Sequence, residues 1–304
     1  MEASSKQPDG ASVAVFAYNE ERRITDALQS IDREAEGFSA PVEVHILANG
    51  CRDGTAAKAR QFQPRRVEVT VHEIKLGDKA NAWNTYVHDI APARPLHFFM
   101  DGDVRVHPGS LAAMAEASRQ QPQAHAVSSL PKSGRTRHGW AAFIRRNHGL
   151  PGCLYLLPER TLRRFRDAAI RLPVGLIGED VLLQFLIKRD LGEQLDGERT
   201  ERIHVCEAAG FENDSLSPRS LADVGLYYRR LRRNSLRELQ NQVLFPLLKK
   251  QGAAALPEHA EQLYTPEALS RLRPRRGVVQ AYFDRVALRL MRRRAARPGG
   301  AGND

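Results

Sequence analysis

Two aspartates separated by one glycine, Asp101-Gly102-Asp103, end the short apolar run Leu96-His-Phe-Phe-Met100. Alternation along an extended chain points Asp101 and Asp103 to the same side, and Gly102 lets a bulky group approach the backbone. Paired hard oxygen donors beside an open glycine suit a divalent cation that also holds phosphate oxygens. A second acid pair, Glu179-Asp180, follows the glycine-punctuated stretch from Pro173 to Gly178. Val181, Leu182, Phe185 and Leu186 continue at helical spacing, so these acids open a helix, where the positive end favours anions. Two further polar clusters end apolar runs: Tyr18-Asn19-Glu20-Glu21, and Asn49-Gly50-Cys51-Arg52-Asp53-Gly54-Thr55.

Positioning these groups requires elements that bring them to one edge. Runs at 12–17, 42–47 and 96–100 and the alternating stretch 67–74 read as strands, with a weaker one at 124–130. Helical patterns follow them at about 20–31, beyond Asp53, at 78–89 and from Pro108 to about Gln120. Strands alternating with helices imply right-handed crossovers and a mainly parallel α/β sheet, with ligands outside the carboxyl ends of the strands. Further on, 131–139 reads as a basic, mobile loop, 153–157 as a strand, 158–169 as a helix and 202–206 as a strand. Beyond that the chain is helical and basic, and the glycine-rich end, 298–304, is expected to be disordered.

The chain has 304 residues and a net charge of +10. Residues 219–304 hold 18 Lys+Arg against 7 Asp+Glu, whereas residues 1–218 hold 28 against 29. The positive charge therefore belongs to the C-terminal part, which argues against a nucleic-acid-binding core. No apolar run is long enough for a transmembrane helix, and the polar start is no signal peptide. Cys51, Cys153 and Cys206 have neither disulfide-framework nor zinc spacing, which fits a reducing cytosol.

With these residues in order, the chain resembles a family 2 glycosyltransferase of the GT-A fold over roughly Ser12 to Arg233. Such enzymes move a sugar from a nucleoside diphosphate to an acceptor. The resemblance implies that Phe16-Ala17-Tyr18-Asn19-Glu20-Glu21 is the nucleotide-binding opening, although a proline usually stands where Ala17 is. Asn49 to Thr55 resembles the second base-contacting loop, with Asn49 where many members have aspartate and Asp53 able to serve also as a helix cap. Gly77-Asp-Lys79-Ala-Asn81 resembles a donor-site segment in which Lys79 pairs with diphosphate and Asn81 touches ribose or sugar. Asp103 would ligate manganese or magnesium, with Asp101 toward ribose or metal and Gly102 between them. Asp180 would be the general base of an inverting transfer, beside Glu179 and Gly178 on the acceptor side. Arg229, Arg232 and Arg233 occupy the place of an arginine-rich acceptor-helix motif, with a solvated basic face as the alternative. The histidine that many relatives use as a further metal ligand is absent; His204, Glu207 and Glu212 lie nearest its position.

Five segments are expected on this basis: a disordered start at 1–11, a donor half at 12–130, an acceptor half at 131–218, a helical basic extension at 219–297, and the disordered tail at 298–304. In the extension, Val279, Phe283, Val286 and Leu290 share a helical face flanked by arginines. That pattern fits a helix packed on the catalytic domain, or one lying on anionic lipid. The expected reaction is single-sugar transfer in glycoconjugate or polysaccharide synthesis, to an acceptor sugar, a lipid-linked saccharide or a small molecule. The expected location is cytoplasmic, with peripheral membrane contact as the alternative. Two other functional classes compete: a nucleotidyltransferase, which normally wants a glycine-rich basic loop after the first strand, and a non-catalytic nucleotide- or membrane-binding module of this fold.

Overall fold

The computed structural model describes residues 10–38, 40–193, 196–214 and 221–296. The expectation of disorder at 1–11 falls for its first nine residues, and that at 298–304 entirely, outside the described residues. Ala11 belongs to the sheet: it is buried and opens the first strand.

Eight strands form one sheet: β1 (Ala11–Ala17), β2 (Val42–Asn49), β3 (Val67–Ile74), β4 (Leu96–Asp101), β5 (Val104–Val106), β6 (Ala126–Pro131), β7 (Leu154–Pro158) and β8 (Ile203–Asn213). Their order across it is β3-β2-β1-β4-β7-β6-β8-β5. The β3–β2, β2–β1, β1–β4 and β6–β8 pairs are parallel, and β4–β7, β7–β6 and β8–β5 are antiparallel. Only β5 and β7 therefore run against the rest, so the sheet is mainly parallel. All seven residues of β1 are buried, as expected of a strand covered on both faces. β3 lies at the sheet edge and leaves Glu68, Thr70 and Glu73 exposed, charges and polar groups that discourage pairing with another chain.

Helices α1 (Ile24–Glu34), α2 (Thr55–Gln61) and α4 (Ser110–Gln120) cover one face, packing Ile24, Leu28, Ile31, Leu111 and Met114 on Val13, Val15, Phe98 and Met100. Helices α3 (Lys79–Thr85), α6 (Glu159–Asp167) and α7 (Glu179–Lys188) cover the other, where the rings of Phe99 and Tyr155 stack 4.9 Å apart and Trp83 meets Phe165 edge-on at 5.2 Å. Each such fully buried large side chain contributes roughly 1.5–3 kcal/mol relative to exposure. After α3 the chain continues as one π-type turn, Tyr86–Ile90.

The structure departs from the sequence pattern in four places. The loop expected at 131–139 shortens to residues 132–136, and α5 (Arg137–Asn147) follows it, burying Ala141 and Ile144 while Trp140 meets Phe211 edge-on at 5.3 Å. Its apolar stripe is narrow and flanked by arginines, so composition disguised it as a loop. β5 is a three-residue strand with no readable pattern. β8 extends well past Cys206 to Asn213, with a register shift against β6. Pro108 lies just outside α4, whose N-cap is Gly109 at φ +77°.

The C-terminal part consists of α8 (Leu221–Gln251), α9 (Pro266–Arg271) and α10 (Val278–Ala295). Helix α10 packs on α8 and buries Phe283, Ala287 and Met291. Fully buried Asp284 accepts from the backbone N–H of Arg275 at 2.8 Å and from its guanidinium at 2.7 Å, and that guanidinium also donates to Ser235 at 2.9 Å. Among the described residues, no helix is long and apolar enough to cross a membrane.

Candidate active site

Parallel register brings four strand ends together: Phe16 pairs with Asp101, Ala17 with Ala48, and Asn49 with Ile74. Two loops at this edge are tied to each other. The Glu20 N–H donates to Thr55 Oγ1 at 2.8 Å, the Glu21 N–H to Asp53 Oδ2 at 3.2 Å, and the Gly54 N–H to Glu21 Oε2 at 3.1 Å. Asn19, in the left-handed region at φ +56°, accepts from the Arg52 N–H at 2.8 Å. Cys51 Sγ donates to the Ala17 carbonyl at 3.3 Å.

Asp53 also accepts from the N–H of Thr55 at 3.0 Å and from its hydroxyl at 2.5 Å. Its carboxylate thus braces the turn into α2, whose N-cap is Gly54, and ties the two loops. Asn49 is buried, and its carboxamide oxygen accepts from the Asp78 N–H at 2.9 Å. Asp78 in turn caps α3 through the Asn81 N–H at 2.8 Å and accepts from the Gly175 N–H at 2.9 Å. This linkage joins the second loop, α3 and the segment before α7. The Asn81 side chain is half-buried without a hydrogen bond to a described residue, and Tyr18 holds its ring 55 % exposed at the rim.

Gly102 serves the chain itself. A Cβ there would stand 2.9 Å from Ala17 Cβ, and its N–H donates to the Phe16 carbonyl at 2.8 Å. The close approach is that of β1.

Lys79 occupies the centre. Its Nζ lies 2.5 Å from Asp101 Oδ1 and 2.7 Å from Glu179 Oε1, and 5.7 Å from the centre of the Phe16 ring. The lysine that resemblance assigns to diphosphate is therefore held between two carboxylates. Burial alone would push the Glu179 carboxyl up, but the Lys79 ammonium holds it below the ordinary carboxylate range. Asp101 is pushed up to about 7, chiefly by burial, with Lys79 opposing and the charges of Asp103 and Glu179 adding. Asp180 is also raised, by burial and then by the neighbouring Glu179 charge, with Lys79 and Arg237 opposing. Its Oδ2 accepts from the Gly152 N–H at 3.2 Å and its Oδ1 from the Val181 N–H at 3.0 Å. A Cβ on Gly152 would lie 3.2 Å from Lys79 Nζ and 3.3 Å from Asp180 Oδ2, a tight contact that would press on both side chains.

Glu20 completes the acidic floor. Burial raises its carboxyl, the Asp103 charge adds, and Arg23 at 3.3 Å opposes. Asp101, Asp103 and Glu20 thus concentrate negative charge and hard oxygen donors at one strand end, a set suited to a divalent cation. Among the described residues no group of three or more His, Cys, Asp or Glu is arranged to hold a metal. The fit is that of a cation held by one or two carboxylates and a diphosphate together. The three nearest substitutes for a further ligand are occupied or distant: Glu207 pairs with Arg145 at 2.7 Å, Glu212 with His107 at 2.9 Å, and His204 lies on β8 near His148.

Gly178, at φ +86°, caps α7 and lies against Arg237, whose Cδ would be 2.3 Å from a Cβ there. Arg233 acts on Glu179 through its charge, whereas Arg229 and Arg232 are exposed on α8. Sequence reading missed Arg237, Gly152 and Arg23. The four-residue step from Arg233 to Arg237 on a helix, and the Pro151-Gly152 pair before β7, are the signals that point to the first two.

The family model for glycosyl transferase family 2 matches residues 12–175. No curated protein sequence matches the chain. Among solved structures, the mannosyltransferase PcManGT from Pyrobaculum calidifontis in complex with GDP-Man and Mn2+ is 18 % identical, with 98 % of this chain and 77 % of that one covered at a TM-score of 0.58. S. aureus TarS 1-349 in complex with UDP-GlcNAc is 14 % identical over 97 % and 94 %, at 0.51. Glucosyl-3-phosphoglycerate synthase from Mycobacterium tuberculosis in complex with Mn2+ and UDP-Glc is 18 % identical over 76 % and 78 %, at 0.50. At such identities the likeness shows a shared fold.

Proposed function

The chain belongs to glycosyl transferase family 2 and is a glycosyltransferase, and from that premise we propose that it moves one sugar from a nucleoside diphosphate-sugar to an acceptor hydroxyl with inversion and with a divalent cation. The observation that carries this reading is the placement of Lys79 between Asp101 and Glu179, which joins the expected donor and acceptor sides in one charged centre.

Asp101 and Asp103 would hold manganese or magnesium together with the diphosphate. When bound, the cation offsets charge developing on the leaving nucleoside diphosphate. Asp180 accepts the acceptor hydroxyl proton as that oxygen bonds to the anomeric carbon and the bond to the diphosphate breaks. Backbone N–H groups of Gly152 and Val181 aim its carboxylate, and the raised affinity for a proton suits a base. Glu179, kept ionised by Lys79, supplies part of that raising. Lys79 balances Asp101 and Glu179 and so fixes the distance between the two halves. The rim at Tyr18, Asn19, Glu20 and Asn81 receives the nucleotide and sugar, and Asn49 and Asp53 hold that rim from beneath.

The neighbouring complexes carry GDP-Man, UDP-GlcNAc and UDP-Glc, which supports a nucleotide-sugar donor without choosing the base. A cytoplasmic location belongs to the same reading, supported by three cysteines that are all free thiols. The test is donor turnover with manganese across UDP-, GDP- and dTDP-sugars. Asp103→Ala and Asp180→Asn should each lower transfer by about a hundredfold or more. Full activity in either variant would remove that residue from its role.

A further inference from the structure

Helix α8 carries a run of positive charge, and two of its members, Arg233 and Arg237, act on Glu179 and Asp180. Arg229, Arg230, Arg232, Arg233 and Arg237 lie within nine residues of one another. None forms a hydrogen bond or ion pair with a described residue. Arg275, in the same extension, is by contrast held by Asp284 and Ser235. Arg229, Arg233 and Arg237 recur every four residues and so share one face of the helix.

Geometry fixes where that face points. The Arg237 side chain crosses directly over Gly178, whose missing Cβ would lie 2.3 Å from its Cδ and 3.7 Å from its Nε. Gly178 caps the helix that begins with Glu179 and Asp180. Arg237 is half-buried there, and its guanidinium donates to no described residue. A guanidinium so placed matches an anion that offers several oxygens. Lys79 cannot serve that anion, because two carboxylates already hold it.

We propose that Arg233 and Arg237 bind a phosphate group on the acceptor, and thereby hold the acceptor hydroxyl against Asp180. This rests on the assignment of Asp180 as the base. Two guanidiniums one helical turn apart favour a phosphate, with three terminal oxygens and up to two charges, over a carboxylate. Standing between the phosphate and the Glu179–Asp180 pair, the arginines also offset a repulsion that would otherwise expel such an acceptor. Arg229 and Arg232 continue the charge outward and raise the local concentration of anions. The phosphate could come from a soluble phosphorylated molecule or from a lipid headgroup. Tyr227, Tyr228, Val278, Val279 and Tyr282 are exposed on α8 and α10, with Tyr228 packed 5.1 Å from Phe283, which bears on the second source.

The full-length protein is saturated with a nucleoside diphosphate and manganese, which fills the donor side, and then titrated calorimetrically with glycerol 3-phosphate. A parallel arm measures co-sedimentation with vesicles of phosphatidic acid in phosphatidylcholine against phosphatidylcholine alone. Binding in either arm should weaken about tenfold in Arg237→Gln and about a hundredfold in Arg233→Gln/Arg237→Gln, while nucleoside diphosphate affinity stays unchanged. Asp180→Asn should tighten binding a few-fold, because it removes a facing negative charge; a site remote from Asp180 would not respond. The arm that shows the arginine-dependent loss identifies the source. Equal affinity in the double variant, or no binding by the wild type in either arm, overturns the proposal. Failure of the nucleoside diphosphate to bind, with arginine-dependent phosphate binding intact, would instead overturn the donor-site assignment.

Discussion

Lys79 Nζ stands 2.7 Å from Glu179 Oε1 although exactly one hundred positions separate the two residues in the chain. The contact ties α3 to α7, which the proposed function assigns to the donor and the acceptor respectively. Its second arm, to Asp101, makes the lysine the common counter-charge of two carboxylates. Lys79→Met leaves both without it. It should lower stability by on the order of 3 kcal/mol and abolish measurable transfer. Urea unfolding checks the first effect, and a loss below about 0.5 kcal/mol would show that water screens the pair. Lys79→Met/Glu179→Gln should recover part of the stability but none of the activity.

Gly102→Ala tests the close approach of β1 and β4. The added Cβ would meet Ala17 Cβ at 2.9 Å and Ala17 Cα at 3.1 Å. Overpacking of this kind costs about 1–3 kcal/mol, and separation of the strands also moves Asp101 and Asp103. A lowered Tm together with weakened manganese affinity is expected, the latter read by isothermal titration. A wild-type Tm would mean that the strand ends yield freely.

Much of this architecture was legible in the sequence because its signals are local. The strands β1, β2 and β4 announce themselves as runs that end in polar clusters and β3 as an alternating stretch, and parallel register does the rest. Strand direction is different. Leu154, Tyr155, Leu156 and Leu157 are buried throughout, and a uniformly apolar run reads alike either way, so the reversal of β7 was invisible. The engagement of Lys79 was hidden for a related reason: its two partners lie 22 and 100 positions away, and no spacing rule reaches that far. Asp53 and Asn49 were legible as polar loop residues, but not as residues already bonded to Thr55 and Asp78. Arg237 was missed because the glycine beneath it lies far away along the chain.

His125 should make the protein sensitive to acid. Its Nε2 lies 3.1 Å from the Arg202 guanidinium, a contact in which the ring accepts and must be neutral. Burial first, then the charges of Arg202 and Arg164, lower its pKa to about 4 from 6.5. Between these values the unfolded chain takes up a proton that the folded one refuses, so stability falls as pH drops from 6.5 to 4 and then levels. His125→Gln, which can still accept from Arg202, should flatten that part of the profile in a pH series of denaturant midpoints. Parallel profiles for the two proteins would exclude His125 as the source.

Asp53→Ala removes acceptors for the Thr55 N–H, the Thr55 hydroxyl and the Glu21 N–H. A stability loss of about 1 kcal/mol is expected from these lost hydrogen bonds. Nucleoside diphosphate affinity should fall with it, because the tie between the loops is broken. Asp53→Asn, which keeps an acceptor oxygen, should restore most of both. Loss of affinity with unaltered stability would instead indicate direct contact between Asp53 and the nucleotide.

The bonds that run between the Ala17–Glu21 and Cys51–Thr55 loops have a thermodynamic consequence for ligand capture. Their backbone groups are already paired across the gap, so the ordering entropy of this rim is lost when the chain folds and need not be lost again on association. A preorganised rim of this kind admits its ligand without waiting for a rearrangement. Nucleotide should therefore bind in a single kinetic phase whose observed rate rises linearly with concentration, and slower steps should arise on the acceptor side of Lys79.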